Sequence, residues 1–243
     1  MTYTLHFPQT DQCFVSLSPM VTSQVEILQQ QHWIGLLEKK LKAVLKEIVA
    51  EPRGFLLFFK TAYDPQKIKT AIQNTWEQTQ AKKHFIYKQW EIPIDCHHSD
   101  CNDLLDFFKG DTDQVKAYWE AFLAQSLYVQ FYGFLPGFVY LNGVPKALQL
   151  PRRKEPRLTV PAGSVAVGDR YVGIYPQVSP GGWQLLGQSP IALFDRNRSL
   201  AFFLEPGDCI QWVAIDSNTF ESLKNTTNLI PNHADKEVVL SSS

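Results

Sequence analysis

The sequence predicts an α+β N-terminal domain followed by a mainly β domain. Over residues 1–95, short runs of strand type alternate with segments whose apolar residues recur at helical spacing. From residue 126 to residue 215, short apolar runs are separated by most of the glycines and prolines of the chain, which is typical of a β-barrel or a β-sandwich. A chain of 243 residues, 44% of them hydrophobic, is large enough for one large domain or two small ones.

The N-terminal elements are predicted in the order β-α-β-α-β. Residues 13–18 alternate between apolar and polar side chains, as in a strand, and residues 25–49 carry apolar side chains at helical spacing. Residues 55–59 are continuously apolar, as in a buried strand. Asp64-Pro65 opens a second helix, since proline is tolerated in the first helical turn. Alternation over residues 86–94 then predicts a third strand, and the whole is expected to form a small α+β sandwich.

The rest of the chain divides into segments that differ in composition and periodicity. Residues 100–109 and 111–125 are predicted as two short helices, and the C-terminal residues are polar and end in three serines. We therefore expect a small α+β domain over residues 1–95, a helical connection over residues 96–125, the β domain over residues 126–215 and a polar C-terminal tail over residues 216–243.

Charge and composition exclude several classes of partner. A formal net charge of -1 gives no electrostatic reason to expect nucleic acid or an anionic membrane as a partner. No apolar run approaches the roughly 20 residues that span a bilayer, and the first residues do not have the pattern of a secretory signal. We expect a cytoplasmic protein whose four cysteines stay reduced.

Residues 95–101 are a candidate metal site, because they hold two thiols, two imidazoles and two carboxylates. Their spacing is not that of paired ligands, and the chain has no second half-site. The alternative is a polar loop between a strand and a helix, with Asp100 as the N-cap. We favour the loop and expect no metal.

Other catalytic motifs are incomplete. Residues 163–168 have two glycines at the spacing of a phosphate-binding loop, but Asp169-Arg170 follows where lysine and serine or threonine are needed. This segment is better explained by a β-turn near Gly168-Asp169. The Gly-x-Ser-x-Gly motif is absent, and all six histidines lie outside residues 126–215, so a histidine-dependent catalytic pair within the β domain alone is excluded.

Three segments of the β domain are candidates for a ligand site. Residues 133–141 combine glycines, a proline and aromatic residues, and residues 151–157 are the densest basic cluster. In residues 175–187, Gly181-Gly182 precedes a tryptophan, and its backbone N–H groups are candidates for an anion-binding nest. Arginines of the basic cluster are suited to clamp a carboxylate or a phosphate. The alternative, that the glycines form barrel corners and the basic cluster is a solvated loop, is equally compatible with the spacing.

These segments also carry a resemblance to a known family. In order along the chain they read GFLPGFVYL, PRRKEPRLTVPAGSVAVG, GIYPQVSPGGWQLLGQSP, LFD and EPGD. This pattern resembles the family of the 5-oxoprolinase B-type subunit, which includes the allophanate hydrolase subunit 1 proteins and a bacterial inhibitor of a sporulation histidine kinase. The strong match covers residues 132–208. A weaker one covers FLLFFKTAYDP, Ile92-Pro93-Ile94 and Asp103-Leu104.

The resemblance implies a fold, a reaction and partners. The fold is an α+β N-terminal domain followed by a cyclophilin-like β-barrel. The implied reaction is the opening of 5-oxoproline to L-glutamate with ATP hydrolysis, by a complex with a C-type subunit, itself a related barrel, and with a separate A-type subunit. ATP, with Mg²⁺, is bound by this chain or by a partner. The alternatives are an inhibitor that docks on a histidine kinase through an exposed apolar patch, and a subunit of an allophanate- or urea-degrading system.

The resemblance also suggests roles for individual residues. We expect Arg152 and Arg157 to clamp anions and Ser179 to donate a hydroxyl, as the catalytic set. No metal ligand is expected. The substrate- and nucleotide-binding residues are expected to be Gly133, Phe134, Pro136, Gly137, Tyr175, Pro180, Gly181, Gly182 and Trp183.

The sequence departs from the family pattern at three places. Gln188 stands where the family often has an arginine, and residues 121–126 lack a histidine that is common there. Cys101-Asn102 replaces a Gly-Pro pair. The lost arginine slightly favours the inhibitor, whereas the intact arginine and glycine segments favour the enzyme subunit.

Overall fold

A computed structural model of the chain describes residues 1–97, 103–226 and 229–240. These residues form two compact units, one made of residues 1–86 and the described residues from Glu237 onward, and the other of residues 87–236. Each unit has its own sheet and its own buried apolar residues, so each is described by itself.

Within residues 1–86, the strands form an antiparallel sheet in the order β1-β2-β4-β3. Its elements are β1 (Thr2–His6), β2 (Gln12–Ser18), α1 (Gln24–Leu41), β3 (Leu45–Glu51), β4 (Gly54–Phe59) and α2 (Pro65–Ala81). Helix α1 begins at a capping box in which Ser23 and Glu26 each accept a hydrogen bond from the other's backbone N–H. Helix α2 begins after Asp64, whose carboxylate accepts from the N–H of Gln66 at 2.9 Å.

Trp33 forms the centre of the first unit. Its ring is fully buried and lies edge-on to Phe55 of β4, with ring centroids 5.1 Å apart. Its indole N–H donates to the hydroxyl of Thr75 on α2 at 2.9 Å, so the polar end of the ring is satisfied inside the unit. The apolar spacing that predicted α1 is therefore the side of the helix that packs on the sheet.

The predicted first helix is too long. It was expected to reach residue 49, but α1 ends at Leu41 and β3 pairs antiparallel with β4 over residues 45–51. The apolar positions of β3 continue the helical spacing by chance, and pairing with the buried strand β4 decides the conformation. Strand β1 is not predicted from the sequence. None of its residues is fully buried, because exposed residues alternate with half-buried ones.

The second unit is mainly β, as expected. Its elements are β5 (His84–Asp95, which begins in the first unit), α3 (Leu104–Phe107), α4 (Thr112–Leu123), β6 (Ser126–Tyr132), β7 (Val139–Asn142), a 3₁₀ turn (Lys146–Leu148), β8 (Arg157–Val160), β9 (Ser164–Gly168), β10 (Tyr171–Ile174), β11 (Ser179–Gly181), β12 (Gln184–Gln188), β13 (Cys209–Ile215), α5 (Ser217–Lys224) and β14 (His233–Val239). The predicted strands over residues 126–215 thus lie at or close to the observed ones.

Among the described residues, seven strands close into a barrel in the order β12-β9-β10-β7-β6-β13-β5. Gln188 of β12 pairs with Asp95 of β5 and closes the ring, and β14 extends the sheet beyond β5. Strands β8 and β11 form a separate antiparallel ribbon. Inward-facing apolar residues such as Trp90, Ile92 and Ile94 fill the barrel.

Asp208 joins the loop before β13 to strand β5. Its buried carboxylate accepts hydrogen bonds from the backbone N–H of Lys88 at 2.9 Å, the indole N–H of Trp90 at 2.8 Å and the backbone N–H of Glu205 at 3.0 Å. The EPGD segment of the family pattern is therefore a structural element of the barrel in this chain.

The boundaries of the two units differ from those of the predicted domains. The strand predicted over residues 86–94 exists, but it is the barrel strand β5, which pairs in parallel with β13 over residues 209–215. The region predicted as a polar tail contains α5 and β14. The predicted helix over residues 100–109 is observed only as α3, and its expected N-cap Asp100 lies outside the described residues.

Candidate functional site

A cavity of about 380 Å³ in the barrel unit brings the three candidate segments together. Aromatic side chains, two arginines and the backbone of β11 form its walls. The lining residues are Phe134, Phe138, Tyr140, Arg152, Arg153, Pro156, Tyr175, Pro180, Gly181, Gly182 and Trp183. The basic cluster is therefore part of a concave site and not only a solvated loop.

The ring of Trp183 forms one wall of this cavity. It lies edge-on to Phe138, with centroids 5.6 Å apart, and at 5.6 Å from the ring of Tyr140. A Cβ at Gly168 would collide with the Trp183 ring, and a Cβ at Gly173 would collide first with Phe138 and then meet Trp183, so these two strand glycines leave space for both rings. The tryptophan after two glycines thus packs flat on the barrel strands β9 and β10.

The hydroxyl of Tyr175 lies against the backbone of Gly181. A Cβ at Gly181 would occupy the position of that hydroxyl, so the glycine is needed for close packing. Burial raises the pKa of the Tyr175 hydroxyl, and the backbone N–H of Trp183, which donates to it, acts in the opposite direction. Tyr175 is therefore a neutral hydroxyl on the cavity wall.

The anion-binding nest expected at Gly181-Gly182 is not formed. A nest needs residues in the left-handed region, whereas Gly181 belongs to β11 and the backbone of both glycines lies outside that region. The carbonyl of Gly182 accepts from the N–H of Arg153 at 2.8 Å, which fixes the basic segment against the glycines. The glycines position the arginine instead of binding an anion themselves.

Asp103 organises the arginines beside the cavity. Its Oδ1 accepts from Nη2 of Arg157 and lies 3.7 Å from Nη1 of Arg153. Its Oδ2 accepts from the backbone N–H of Leu185 at 2.7 Å, and its own N–H donates to the carbonyl of Leu185 at 2.7 Å. The carboxylate is thereby fixed to β12 and holds both guanidinium groups.

The three arginines differ in which of their donors already have a hydrogen-bond partner. Arg152 donates through Nε to Asp169 at 3.0 Å, and its guanidinium carbon lies 5.8 Å from the ring centre of Trp183. Among the described residues, Nε of Arg153 and Nη1 of Arg157 are buried without a hydrogen-bond partner. Buried cationic donors without partners are costly, so this arrangement favours an anionic ligand. Arg153 lines the cavity and is placed to meet that ligand.

The predicted site residues fall into two groups, those that line the cavity and those that do not. Gly137 has a φ of 86° and lies in the turn before β7, next to Phe194, and Arg157 is bound to Asp103. Ser179 is buried on β11 opposite Val160, with its hydroxyl unpartnered among the described residues. Gly133 and Pro136, like these three, do not line the cavity. The predicted residues that do line it are Phe134, Arg152, Tyr175, Pro180, Gly181, Gly182 and Trp183.

Sequence reasoning missed five residues of the site. The sequence does not distinguish Arg153 from its neighbours in the basic cluster, and it marks Asp103 only as half of an Asp-Leu pair. Phe138, Tyr140 and Pro156 are apolar or aromatic residues of the right segments, and only their folded positions distinguish them.

Gln188 lies away from this cavity. It is buried on the barrel seam, where its Nε2 donates to the carbonyl of Ala162 and its backbone pairs with Asp95. The replacement of a family arginine at this position therefore leaves the cavity lining unchanged.

The turn expected near Gly168-Asp169 is confirmed. Asp169 has a φ of 56° and connects β9 to β10, which pair antiparallel. The same residue accepts the hydrogen bond from Arg152, so the turn supports the cavity rim.

A second cavity, of about 650 Å³, lies between α4 and the end of β13, with Cys96 and His97 in its wall. Burial, together with the neighbouring Asp95, raises the pKa of the Cys96 thiol to about 12, so it is not a nucleophile near neutral pH. Asp95 accepts from the N–H of His97 at 2.9 Å and from the hydroxyl of Ser217 at 3.0 Å. The remainder of the candidate metal stretch, residues 98–101, lies outside the described residues.

Metal clusters and membrane helices are both absent from the described part of the chain. Residues 1–97, 103–226 and 229–240 contain no group of three or more histidine, cysteine, aspartate or glutamate residues placed to hold a metal ion. Within the same ranges, every helix is too short or too polar to cross a lipid bilayer.

A protein-family model matches most of the chain. The model described as "Carboxyltransferase domain, subdomain C and D" matches residues 9–204. The chain is 39% identical to the B-type subunit of 5-oxoprolinase from Escherichia coli O157:H7 over 145 residues, which are 58% of this chain and 65% of that protein. It is 31% identical to the protein of the same name from Haemophilus influenzae over 185 residues, 76% of this chain and 86% of that protein.

Solved structures show the same fold in longer chains. The crystal structure of TTHA0988 matches with a TM-score of 0.70 and 27% identity, over 85% of this chain but 40% of that one. The Kluyveromyces lactis urea amidolyase matches with a TM-score of 0.74 and 15% identity, over 98% of this chain and 16% of that one, which shows the fold alone.

Proposed function

The chain belongs to the carboxyltransferase domain family, subdomain C and D, and from that membership we propose that it is the B-type subunit of a 5-oxoprolinase. The proposed complex opens the lactam of 5-oxoproline to L-glutamate with hydrolysis of ATP, and this chain works in it with a C-type subunit and an A-type subunit. We assign the barrel to the cyclophilin-like type and the complex to the cytoplasm, where ATP is available. The shared name of the relatives supports the activity.

One observation carries the assignment of the substrate site. Arg153, whose buried Nε lacks a partner among the described residues, lines an aromatic cavity whose volume of about 380 Å³ accommodates a five-membered ring with one carboxylate. Trp183 and Phe138 offer apolar faces to the ring, and the guanidinium offers planar donors to the carboxylate. In the proposed complex this chain binds and orients the lactam.

The lining offers no group for proton transfer at neutral pH. Among the described residues that form it there is no aspartate, glutamate, histidine, cysteine or serine. Burial raises the pKa of the hydroxyls of Tyr140 and Tyr175, so both stay neutral and are poor bases. This favours a protein that is inactive alone and completes its catalytic site with partner residues.

The described cavity lining lacks the carboxylates that usually hold Mg²⁺ together with nucleotide phosphates. Its polar groups are those of the arginines, the tyrosine hydroxyls, the indole N–H of Trp183 and the backbone. Residues 163–168, which have the glycine spacing of a phosphate-binding loop, form the strand β9 and its preceding residue. We therefore propose that the nucleotide and its metal ion lie on a partner subunit.

The alternative function is inhibition of a histidine kinase. The exposed apolar side chains Leu158 on β8 and Val178 just before β11 favour a protein partner on this ribbon. That observation is compatible both with another subunit of the complex and with a kinase. The urea amidolyase likeness gives no support to a urea- or allophanate-degrading role, because at 15% identity it shows only the fold.

The proposed function is tested by a coupled assay of glutamate release from 5-oxoproline and ATP. Purified chain is mixed with candidate A-type and C-type partners, and each protein is omitted in turn. Turnover that requires all of them supports the proposal. A complex that assembles and turns over equally well without this chain contradicts it, and binding of this chain alone to a histidine kinase, with loss of autophosphorylation, supports the inhibitor instead.

A further inference from the structure

We propose that Asp103 sets the charge of the ligand that the cavity accepts, so that the site takes a monoanionic carboxylate and discriminates against dianions. Asp103 acts as a positioning residue, since it does not line the cavity and acts through Arg153. The identity of the carboxylate as 5-oxoproline rests on the proposed function, whereas the preference for one negative charge rests on the geometry around Asp103.

The carboxylate of Asp103 is fixed in place. The residue is 5% exposed, and Leu185 holds it through hydrogen bonds to both its backbone N–H and its side chain. A buried carboxylate held in this way cannot turn toward solvent when a ligand enters. The Asp103 carboxylate is therefore a fixed part of the site.

The charge around Asp103 is one positive unit in excess. Over the described side chains in contact with this carboxylate, Arg153 and Arg157 supply two positive charges against its single negative one. Arg152 is paired with Asp169 in an exposed ion pair, which solvent screens. One negative charge on a ligand neutralises the cluster, and a second one is left uncompensated beside the fixed carboxylate of Asp103.

The unpartnered donors belong to guanidinium groups, which are suited to bind a carboxylate. Nε of Arg153 and Nη1 of Arg157 are buried and lack a partner among the described residues, while Asp103 occupies Nη2 of Arg157. A guanidinium presents planar donors that match the two oxygens of a carboxylate. Asp103 thus leaves Nε of Arg153 without a partner, and its negative charge offsets one of the two guanidinium charges.

The test is a titration of the full-length chain followed by NMR, through the arginine Nε–H signals and the backbone amide of Leu185. The probes are acetate as a monoanion, sulfate as a dianion and 5-oxoproline. The wild-type chain is expected to bind acetate and 5-oxoproline more tightly than sulfate. Asp103→Asn is expected to shift the preference toward sulfate by about tenfold or more, the effect of one charge-assisted hydrogen bond.

Two further variants distinguish an effect of charge on binding from an effect of damage to the fold. Arg157→Gln removes the excess charge, so all three probes are expected to bind at least about tenfold more weakly. The double variant D103N/R157Q restores one positive charge and is expected to recover the wild-type preference for acetate. A purely structural role for Asp103 predicts instead that the two changes add. Asp106→Asn, which changes an exposed carboxylate on the short helix α3 that follows Asp103, is the matched control and should change nothing.

Each outcome bears on one of the two proposals. An unchanged acetate-to-sulfate preference in D103N, or no recovery in the double variant, overturns the role of Asp103. Absence of acetate binding to the wild-type chain overturns it as well. If acetate binds and D103N reverses the preference but 5-oxoproline does not bind, the role of Asp103 stands and the proposed substrate is wrong.

Discussion

The hydroxyl of Tyr175 occupies the position that a side chain at residue 181 would take, so Gly181 and Tyr175 form one packing unit of the cavity wall. At Gly182 the situation differs, because the nearest atom to an added Cβ is Pro156 Cγ at 3.6 Å, an ordinary contact. Adjacent glycines of the same motif therefore have different tolerances.

We expect Gly181→Ala to destabilise the chain by about 1–3 kcal/mol, because the methyl group displaces a tyrosine that is buried and hydrogen-bonded. Gly182→Ala should change the free energy of unfolding by less than about 0.5 kcal/mol. Urea denaturation of both variants measures this difference. Equal stability of the two variants would contradict the packing of Tyr175 on Gly181.

Asp208 is expected to stabilise the barrel rather than to take part in chemistry. Asp208→Ala leaves the N–H groups of Lys88, Trp90 and Glu205 without their acceptor and should cost about 2 kcal/mol or more. Thermal unfolding of the chain measures the loss. Glu205→Gln, in the same segment but exposed, should leave the melting temperature almost unchanged; a similar loss in both variants would point to a general effect of the loop.

The stability of the first unit is expected to fall at alkaline pH because of Cys13. Burial raises the pKa of its thiol to about 12, so the neutral form is favoured in the folded chain. Its stabilising contribution is complete below the thiol pKa of the unfolded chain, about 8.5, and is lost as the pH rises toward 12. Between those limits we expect a loss of about 1.4 kcal/mol per pH unit from this group.

The measurement for this effect is urea denaturation at several pH values, with Cys13→Ala as the reference. The wild-type chain should lose stability more steeply than the variant above pH 9, since lysines and tyrosines titrate in both. Parallel curves for the two chains would show that the thiol of Cys13 is not shielded from water.

Sequence patterns predicted the barrel strands well because their apolar runs are short and bounded by glycine or proline. They assigned β5 to the wrong unit, since its parallel partner β13 lies far along the chain and periodicity carries no information on pairing. They extended α1 over β3 because Leu45 and Ile48 continue the helical spacing, and the competing partner, β4, is visible only in the folded sheet.

The sequence predicts which segments form the site but not the role of each residue in them. Arg152, Arg153 and Arg157 are equivalent in a basic cluster, and their roles are decided by acidic residues from other parts of the chain. Asp169 pairs with Arg152 and Asp103 pairs with Arg157 and Arg153, whereas the cavity is lined by Arg152 and Arg153 but not by Arg157. Such long-range pairing cannot be read from the spacing of the arginines.

The assignment of the cavity as the substrate site is tested by the steady-state kinetics of the reconstituted complex with Arg153→Ala in this chain. We predict that kcat/KM for 5-oxoproline falls about ten- to hundredfold, as expected for the loss of a charge-assisted contact, while the complex still assembles. The exposed Arg196→Ala variant serves as the control and should match the wild type. An unchanged kcat/KM for Arg153→Ala in an assembled complex would contradict the assignment.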